Sequence, residues 1–278
     1  MKLVSSAKLR KAQNAIEAMR PYEEQLQGIL ASLQGGTAGV SSLNLAQNKD
    51  ERKIIVAIAS NSSLCGGFNA NAIAKVRAIR RPGDTVYAIG RKMADAMRKE
   101  GFASPEDFSA LSEHPSYGPA AALVEKLVAD VEAGRTGAVV LVYNHFVSTA
   151  RQEPVVEVLI QRSSEGEESL SSTSLRDPVR ANVPERDSSP APSYIAPLLE
   201  PSRAVLLEAL VPKTRKLKLY AALLDSAAAE HAARTVAMQT ATDNAENLLA
   251  ELTLQYNKGR QQKITSEILD LAGGQAEN

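Results

Sequence analysis

Several residue types that often define a function are scarce in this chain. It has no tryptophan, 4% aromatic residues and a single cysteine, Cys65, so no intramolecular disulfide can form, which fits a reducing compartment. Lysine and arginine number 32, as do aspartate and glutamate, and the resulting zero net charge gives no bulk attraction to nucleic acid. Because no apolar run reaches the length of a membrane span and no secretory signal is evident, we expect a soluble or peripherally attached protein.

Proline and glycine are nearly missing from the last part of the chain. From Lys213 to Ala272 there is no proline and one glycine, Gly259, which predicts a single helix of roughly 90 Å. Apolar or neutral residues recur every seven positions at Leu217, Leu224, His231, Met238, Ala245 and Leu252, with Tyr220, Ala227, Ala241 and Leu248 offset by three. This spacing predicts a coiled-coil seam. Beyond Leu252 the apolar spacing is nearer four, so the seam is expected to drift around the helix.

A second seven-residue pattern lies at the other end of the chain, in residues 1–48. It comprises Leu9, Ala12, Ile16, Met19, Leu26, Leu30 and Leu33, with Glu23 as the one polar member. We expect the two terminal helices to pair antiparallel, with Leu30 and Leu33 beside Leu217 and Leu224. Pro21 should kink or curve the first helix without breaking it, and Gly35-Gly36 should end it.

Residues 49–200 alternate between strand and helix patterns. Strands are predicted at 53–60, 84–90, 138–147 and 154–160, and helices at 70–79, 91–100 and 120–133. The pattern predicts an α/β, Rossmann-like domain with a parallel sheet. Its segment 163–193 is rich in Ser and Pro and is expected to be a mobile surface loop, and 201–278 is the C-terminal coiled-coil helix. The fold class is thus a long antiparallel two-helix coiled coil plus a central α/β domain.

The sequence contains few candidates for a catalytic or ligand-binding site. The segment from Ser60 to Asn69 contains Cys65, Gly66 and Gly67 at the carboxyl end of the first strand, where α/β sheets place ligand sites. It matches no nucleotide-binding fingerprint, so no cofactor is expected, and a tight structural turn is favoured over a cysteine nucleophile.

The histidines and the carboxylates of the long helix give no further indication of a functional site. The three histidines, His114, His145 and His231, lack the spacing of metal ligands, so no metal is expected. His231 is interpreted as a hydrogen-bonded polar position in the seam. The carboxylates of Asp243, Glu246 and Glu251 are interpreted as solvent-facing charge. No catalytic residue is predicted.

Particular stretches of the chain resemble one known family. They are Glu230–Met238, Ala241–Ala245, Tyr256–Gln261 and Ile264–Gly274, together with Met1–Gln13 and Leu64–Asn69. These stretches closely resemble the gamma subunit of F-type ATP synthases. The likeness covers both ends of the chain and the first strand-turn of the core.

The resemblance implies the non-catalytic rotor of a rotary ATP synthase. Its coiled coil would enter the cavity of a hexamer of alpha and beta subunits. Its α/β domain would hold the proteolipid ring and a small epsilon subunit, and proton flow would turn the ring and so drive ATP synthesis. The expected location is the cytoplasmic side of a bacterial plasma (inner) membrane, with peripheral attachment through the complex.

The resemblance also implies particular contacts. Arg260, Gln261 and Thr265 match positions that touch the catalytic hexamer, and Glu200 matches a position near the membrane ring. The family has a further stretch before the point matched by Met1, so we expect the far end of the long helix to lack its partner. The family's Ser-Asp-basic-Gly is replaced by Ser60-Asn-Ser-Ser63, which argues against an acid-base pair at that turn.

Two other classes share parts of this layout. A binding module with a Rossmann-like domain and a coiled-coil arm would have the same order of elements. A hydrolase using Cys65 would turn over alone, whereas a rotor subunit would be inert alone and would co-purify with hexameric ATPase subunits.

Overall fold

The computed structural model describes residues 2–33, 52–162, 200 and 202–274. Its elements in chain order are α1 (Lys2–Leu33), β1 (Lys53–Ile58), α2 (Phe68–Ile79), β2 (Thr85–Ile89), α3 (Arg91–Lys99), α4 (Ser109–Glu113), α5 (Tyr117–Glu132), β3 (Ala138–Phe146), β4 (Gln152–Gln161) and α6 (Arg203–Gly274). We call α1 and α6 the rod and residues 52–162 the head. The expected helix end at Gly35-Gly36 and the Ser-rich segment 163–193 lie outside the described residues.

The helix α6 extends beyond the proline-free run from Lys213 to Ala272. It has 72 residues, which corresponds to about 108 Å, and it begins at Arg203, within the C-terminal segment 201–278 that was predicted to be helical. Pro212 therefore lies inside the helix and not at its boundary. Proline removes the hydrogen bond to the carbonyl of Glu208, but both residues are exposed, so water can solvate that group. In α1 the helix also continues through Pro21, as expected.

The two rod helices run antiparallel, but their register differs from the predicted one. The side chains of Lys2 and Gln239 are hydrogen-bonded, and Leu9 packs with Ala228 and Ala232. Counting onward along α1 and backward along α6 places Leu30 near residue 211, roughly 20 Å from Leu224. The predicted pairing of Leu30 and Leu33 with Leu217 and Leu224 is therefore wrong, because seven-residue periodicity fixes which face is apolar but not which turn meets which.

The sheet is mixed rather than all-parallel. Its strand order is β2-β1-β3-β4, in which β1 pairs parallel with β2 and β3, whereas β3 and β4 are antiparallel. The connection from Phe146 to Gln152 is short and closed by backbone hydrogen bonds between Ser148 and Arg151. Such a hairpin can join only antiparallel strands, because a parallel pair needs a long crossover.

The rod supplies part of the core of the head. Leu219, Ala222 and Leu223 of α6 are buried with residues of α5 and one face of the sheet. The opposite face packs against α2 and α3, with Met93 and Met97 fully buried. The head is thus a three-layer structure in which α6 is one of the outer helices, so α6 cannot be removed without exposing the sheet.

Candidate functional site

Asp225 fastens the rod to the end of strand β3. Its Oδ1 accepts the backbone N–H of Phe146 at 3.0 Å, and its Oδ2 lies 2.5 Å from Nδ1 of His145. Burial raises the pKa of Asp225, although its bonds to His145 and Phe146 favour the ionised form. Asp225 lies in the rod helix α6, whereas His145 and Phe146 lie in β3 of the head. These contacts therefore join the head directly to the rod.

Further ion pairs follow the same junction. Lys216 pairs with Glu125 of α5 at 2.5 Å, and Lys218 pairs with Glu157 of β4 at 3.1 Å. Lys218 also donates to the carbonyl of Val158 at 3.0 Å, and the hydroxyl of Tyr143 donates to Glu157 at 3.0 Å. Burial, followed by the charge of Glu157, raises the pKa of Tyr143. The junction thus combines apolar packing with directed polar contacts.

Sequence reasoning missed Asp225 and His145, although the sequence does carry a signal. In the segment Tyr220–Ala229 of α6, Asp225 is the only charged residue among apolar and small ones. A carboxylate within an apolar stretch must find a partner when it is buried. The identity of that partner, His145, depends on the tertiary structure and could not be read from spacing.

The turn of Cys65, Gly66 and Gly67 packs against the rod. The thiol is buried, with Asn69 Nδ2 3.1 Å away and Ser60 Oγ 3.7 Å away. Gly66 has a φ of 57°, and a Cβ there would lie 3.9 Å from Cβ of Ala237. Cys65 and Phe68 share an apolar cluster with Ala229 and Ala233 of α6. This geometry is that of a packed turn, and the hydrogen-bond partners of the thiol are not the histidine that a nucleophile needs.

His231 does not have the hydrogen-bonded environment expected for it. Its Nδ1 is buried without a hydrogen-bond partner among the described residues, so that expectation is wrong. Burial and then the charges of Arg234 and Lys8 lower the pKa of His231 to about 4, so the ring is neutral at neutral pH. The neighbouring Glu230 is instead paired with Arg234 at 2.7 Å, and Arg234 also donates to Ser62 Oγ at 2.9 Å.

Beyond Gln239, α6 projects without a covering element among the described residues. Every side chain from Thr240 to Leu269, which we call the free segment, is exposed. The predicted seam residues in it are also exposed: Ala241, Ala245, Leu248 and Leu252. The carboxylates of Asp243, Glu246 and Glu251 face solvent, as interpreted from the sequence.

The apolar side chains of the free segment do not form one stripe. At about 100° per residue, Leu248, Leu252 and Tyr256 lie on one side of the helix. Leu254, Ile264 and Ile268 lie on the opposite side, and all six are between 47% and 70% exposed. A helix that is apolar on all sides is normally enclosed by other protein, whereas a coiled-coil partner covers one stripe.

The candidate contact residues are all accessible. Arg260, Gln261 and Thr265 are exposed in the free segment, where the Thr265 hydroxyl donates to the Gln261 carbonyl at 2.9 Å. Glu200 is exposed just before α6, at the other end of the rod. The structure therefore separates the two sets by most of the length of α6.

The described residues contain neither a membrane-spanning helix nor a cluster of metal ligands. None of the described helices is both long and apolar enough to span a bilayer. In the same part of the chain, no group of three or more His, Cys, Asp or Glu side chains could hold a metal ion.

Comparison with known proteins agrees with this architecture. A family model described as ATP synthase matches residues 1–276. The ATP synthase gamma chain of Phocaeicola vulgatus is 43% identical over 99% of this chain and 91% of that protein. The gamma chain of Heliobacterium modesticaldum is 36% identical over the same shares.

Solved structures share the fold at lower identity. A chain of the Euglena gracilis mitochondrial ATP synthase (OSCP/F1/c-ring, rotational state 3) has a TM-score of 0.61 at 19% identity, covering 98% of this chain and 94% of that one. A chain of the Tetrahymena thermophila mitochondrial ATP synthase central stalk/c-ring has a TM-score of 0.57 at 18% identity, covering 87% and 97%.

The rod, the fastened head and the free segment define a stalk-type protein in which one long helix runs from an α/β domain to an uncovered end. The sequence matches extend over nearly the whole chain and identify its family. The chain belongs to the ATP synthase gamma-chain family.

Proposed function

We propose that the chain is the central rotor stalk of an F-type proton-translocating ATP synthase. In this role it passes the rotation of a membrane ring to the catalytic sites, where the motion drives the conformational changes of ATP synthesis or hydrolysis. The observation that carries the proposal is the free segment, which continues the helix that packs into the head yet exposes apolar side chains on every side.

The free segment is proposed to occupy the cavity of a hexamer of alpha and beta subunits. Enclosure by a ring of subunits would cover all sides of the helix at once, which a single partner helix would not do. Its side chains also differ from one side to the next, so each catalytic subunit would meet a different surface at each rotational position. Arg260, Gln261 and Thr265 are proposed to exchange hydrogen bonds with these subunits.

The head is proposed to receive the torque. A turning ring must rotate α6 through the head, so the connection between head and rod has to resist twisting. Leu219 and Leu223 lie in the core of the head, and Asp225 bonds to the backbone of β3. Torque applied to the head would therefore reach α6 through buried contacts as well as through the peptide chain.

The base of the chain is proposed to meet the membrane sector. Glu200 lies at the start of α6, at the end opposite the free segment, where it would make a charge-assisted contact with the polar loops of a proteolipid ring. A small epsilon subunit would bind the head nearby. This assembly would hold the chain at the cytoplasmic face of a bacterial plasma membrane, and the chain itself would not be catalytic.

The experiment is reconstitution with partner subunits. The full chain should show no ATPase activity alone and should co-purify with alpha and beta subunits in a complex that hydrolyses ATP. Arg260→Ala with Gln261→Ala should reduce ATP synthesis or assembly without unfolding the isolated chain. Glu24→Ala, an exposed carboxylate on the outer side of α1, is the matched control.

Three results would contradict parts of these proposals. ATP turnover by the chain alone would contradict the non-catalytic role, and undiminished coupled synthesis in the double variant would remove Arg260 and Gln261 from the contact.

For the base, Glu200→Lys should weaken retention on the ring in a salt-dependent way. Unaltered binding at low salt would make Glu200 an ordinary surface residue.

A further inference from the structure

The lower part of the rod has little support from the head. We call this part the foot, and it comprises residues 26–33 of α1 and 203–215 of α6. The described residues bury none of the α6 residues in the foot. Among the described residues, the salt bridges between α6 and the head begin at Lys216, which pairs with Glu125 of α5. The two helices of the foot are therefore free to move in ways that the head prevents higher up the rod.

A proline perturbs α6 within the foot. Pro212 has no N–H to donate to the carbonyl of Glu208, and its ring crowds that carbonyl. Sharp bends in helices are commonest at proline and at a few other defined features. Because Pro212 and Glu208 are exposed, no packed side chains hold the interrupted turn straight. The turn from Glu208 to Pro212 is thus the part of α6 that bends most easily.

A glycine weakens α1 within the same foot. Gly28 lies inside α1, where glycine forms a less stable helix than alanine does. A Cβ atom added to Gly28 would meet no atom within 4 Å. Packing therefore supplies no steric reason for a glycine at this position, and its effect is to lower the resistance of α1 to bending.

The two weak points lie at the same level of the rod. Counting along the antiparallel helices from the contact of Leu9 with Ala232 places Gly28 beside residue 213, next to Pro212. We propose that this level is a hinge at which the foot tilts relative to the head. Both helices can bend there together, so neither has to leave the other.

Packing on each side of the hinge keeps the two helices paired. Leu26 and Leu33 of α1, which lie on either side of Gly28, are 6% and 2% exposed. Both helices also continue without interruption through the level of the hinge. Rotation of the foot about the rod axis would therefore still reach the head, whereas a tilt of the foot would be absorbed at the hinge.

Pro21 of α1 shows why the hinge lies at the lower level. The same counting places Pro21 beside Tyr220 of α6. The neighbouring Leu219 and Leu223 are 0% and 2% exposed in the core of the head, which holds α6 straight there. In the proposed rotor, the hinge at Pro212 would let the foot follow a tilted partner while it passes torque. That consequence rests on the proposed function, but the hinge itself does not.

The test is the spread of distances between pairs of spin labels, measured by double electron–electron resonance on the full chain in a Cys65→Ser background. Labels at Ala122 of α5 and Ala204 of α6 span the hinge, whereas the control pair, at Ala122 and Thr240, does not; all three positions are exposed. The spanning pair should give the broader distribution. Gly28→Ala with Pro212→Ala should remove this excess width and leave the control pair unchanged, with the helical circular dichroism retained.

The matched control variant is Pro21→Ala, which removes a helix proline at the braced level and should not change the spanning pair. A spanning distribution as narrow as that of the control pair in the Cys65→Ser chain would overturn the proposal. So would a spanning distribution that Gly28→Ala with Pro212→Ala leaves unchanged. Equal narrowing by Pro21→Ala would move the bending to the level of the head and would also overturn it. None of these results would bear on the rotor role.

Discussion

The residues 203–239 and 240–269 belong to one uninterrupted helix, yet their surroundings differ. In the first part, Leu219 and Leu223 are almost fully buried, and small residues such as Ala228 and Ala232 let α1 and the head approach closely. In the second part, residues of similar apolar character are exposed on every side. The first part of α6 therefore belongs to the core of this chain, whereas none of the described residues buries the second.

The largest expected difference is between matched charge substitutions in the two parts. Leu224 is 7% exposed and Leu252 is 52% exposed. Leu224→Asp should lower the free energy of unfolding of the isolated chain by at least about 3 kcal/mol, because it buries an unpaired charge. Leu252→Asp should change it by less than about 0.5 kcal/mol. Urea unfolding checks both variants, and equal losses would refute the division of α6 into covered and free parts.

A disulfide would test the register of the covered part. In a Cys65→Ser background, cysteines at Leu9 and Ala232 should form an intramolecular bond, because these residues pack together. The bond should stabilise the chain by about 2 to 4 kcal/mol. The control pair, at Leu30 and Leu224, should not form a bond. Non-reducing electrophoresis and peptide mapping read the outcome, and efficient bonding of the control pair would show that the register is different.

Removing a junction carboxylate should have a somewhat smaller effect. Asp225→Ala leaves the Phe146 N–H and the His145 ring without their acceptor, which should destabilise the chain by about 1 to 3 kcal/mol. Asp243→Ala, an exposed carboxylate in the free segment of the same helix, should be nearly neutral. Unfolding curves compare the two. In the assembled enzyme, Asp225→Ala should also lower the torque at which rotation and hydrolysis uncouple, whereas full retention of coupling would limit Asp225 to stability.

The smallest effect should come from Glu23, the polar member of the α1 seam. Burial, followed by the charge of Glu157, raises the pKa of Glu23, so folding favours its protonated form. The stability that this group contributes therefore falls as the pH rises above its ordinary value of 4.5. Glu23→Gln should stabilise the chain at neutral pH by up to about 1 kcal/mol and flatten this pH dependence.

The control for this change is Glu24→Gln, which alters an exposed neighbour. Urea unfolding at pH 5 and at pH 8 measures the dependence. A larger stabilisation at pH 5 than at pH 8 would give the opposite sign and contradict the assignment.

Periodic patterns predicted the elements of the fold better than their mutual arrangement. Seven-residue spacing found both rod helices, and apolar runs found the four strands, because each depends on residues near one another in sequence. The register of Leu9 against Ala232 and the antiparallel edge strand depend on contacts between distant residues. The short α4 was missed, since five residues are too few to show a period.

The candidate site also combines residues proposed from the sequence with contacts that only the structure reveals. Arg260, Gln261, Thr265 and Glu200 were proposed from resemblance to the family, and the structure shows only that they are exposed. The contacts of Asp225 with β3 and of Arg234 with Ser62 became visible only in the fold. His231 was misread because the hydrogen bonding of a histidine in a seam depends on the residues that cover it.

The continuity of α6 makes it a lever as well as a link. From Pro212 to Gly274 the helix extends about 93 Å, so a change of one degree in its direction at Pro212 would move the far end by about 1.6 Å. Pairing with α1 braces the helix as far as Gln239, and from there the remaining length is about 52 Å, for which one degree corresponds to about 0.9 Å. The bending stiffness of a single helix would thus determine how precisely the position of its far end is fixed.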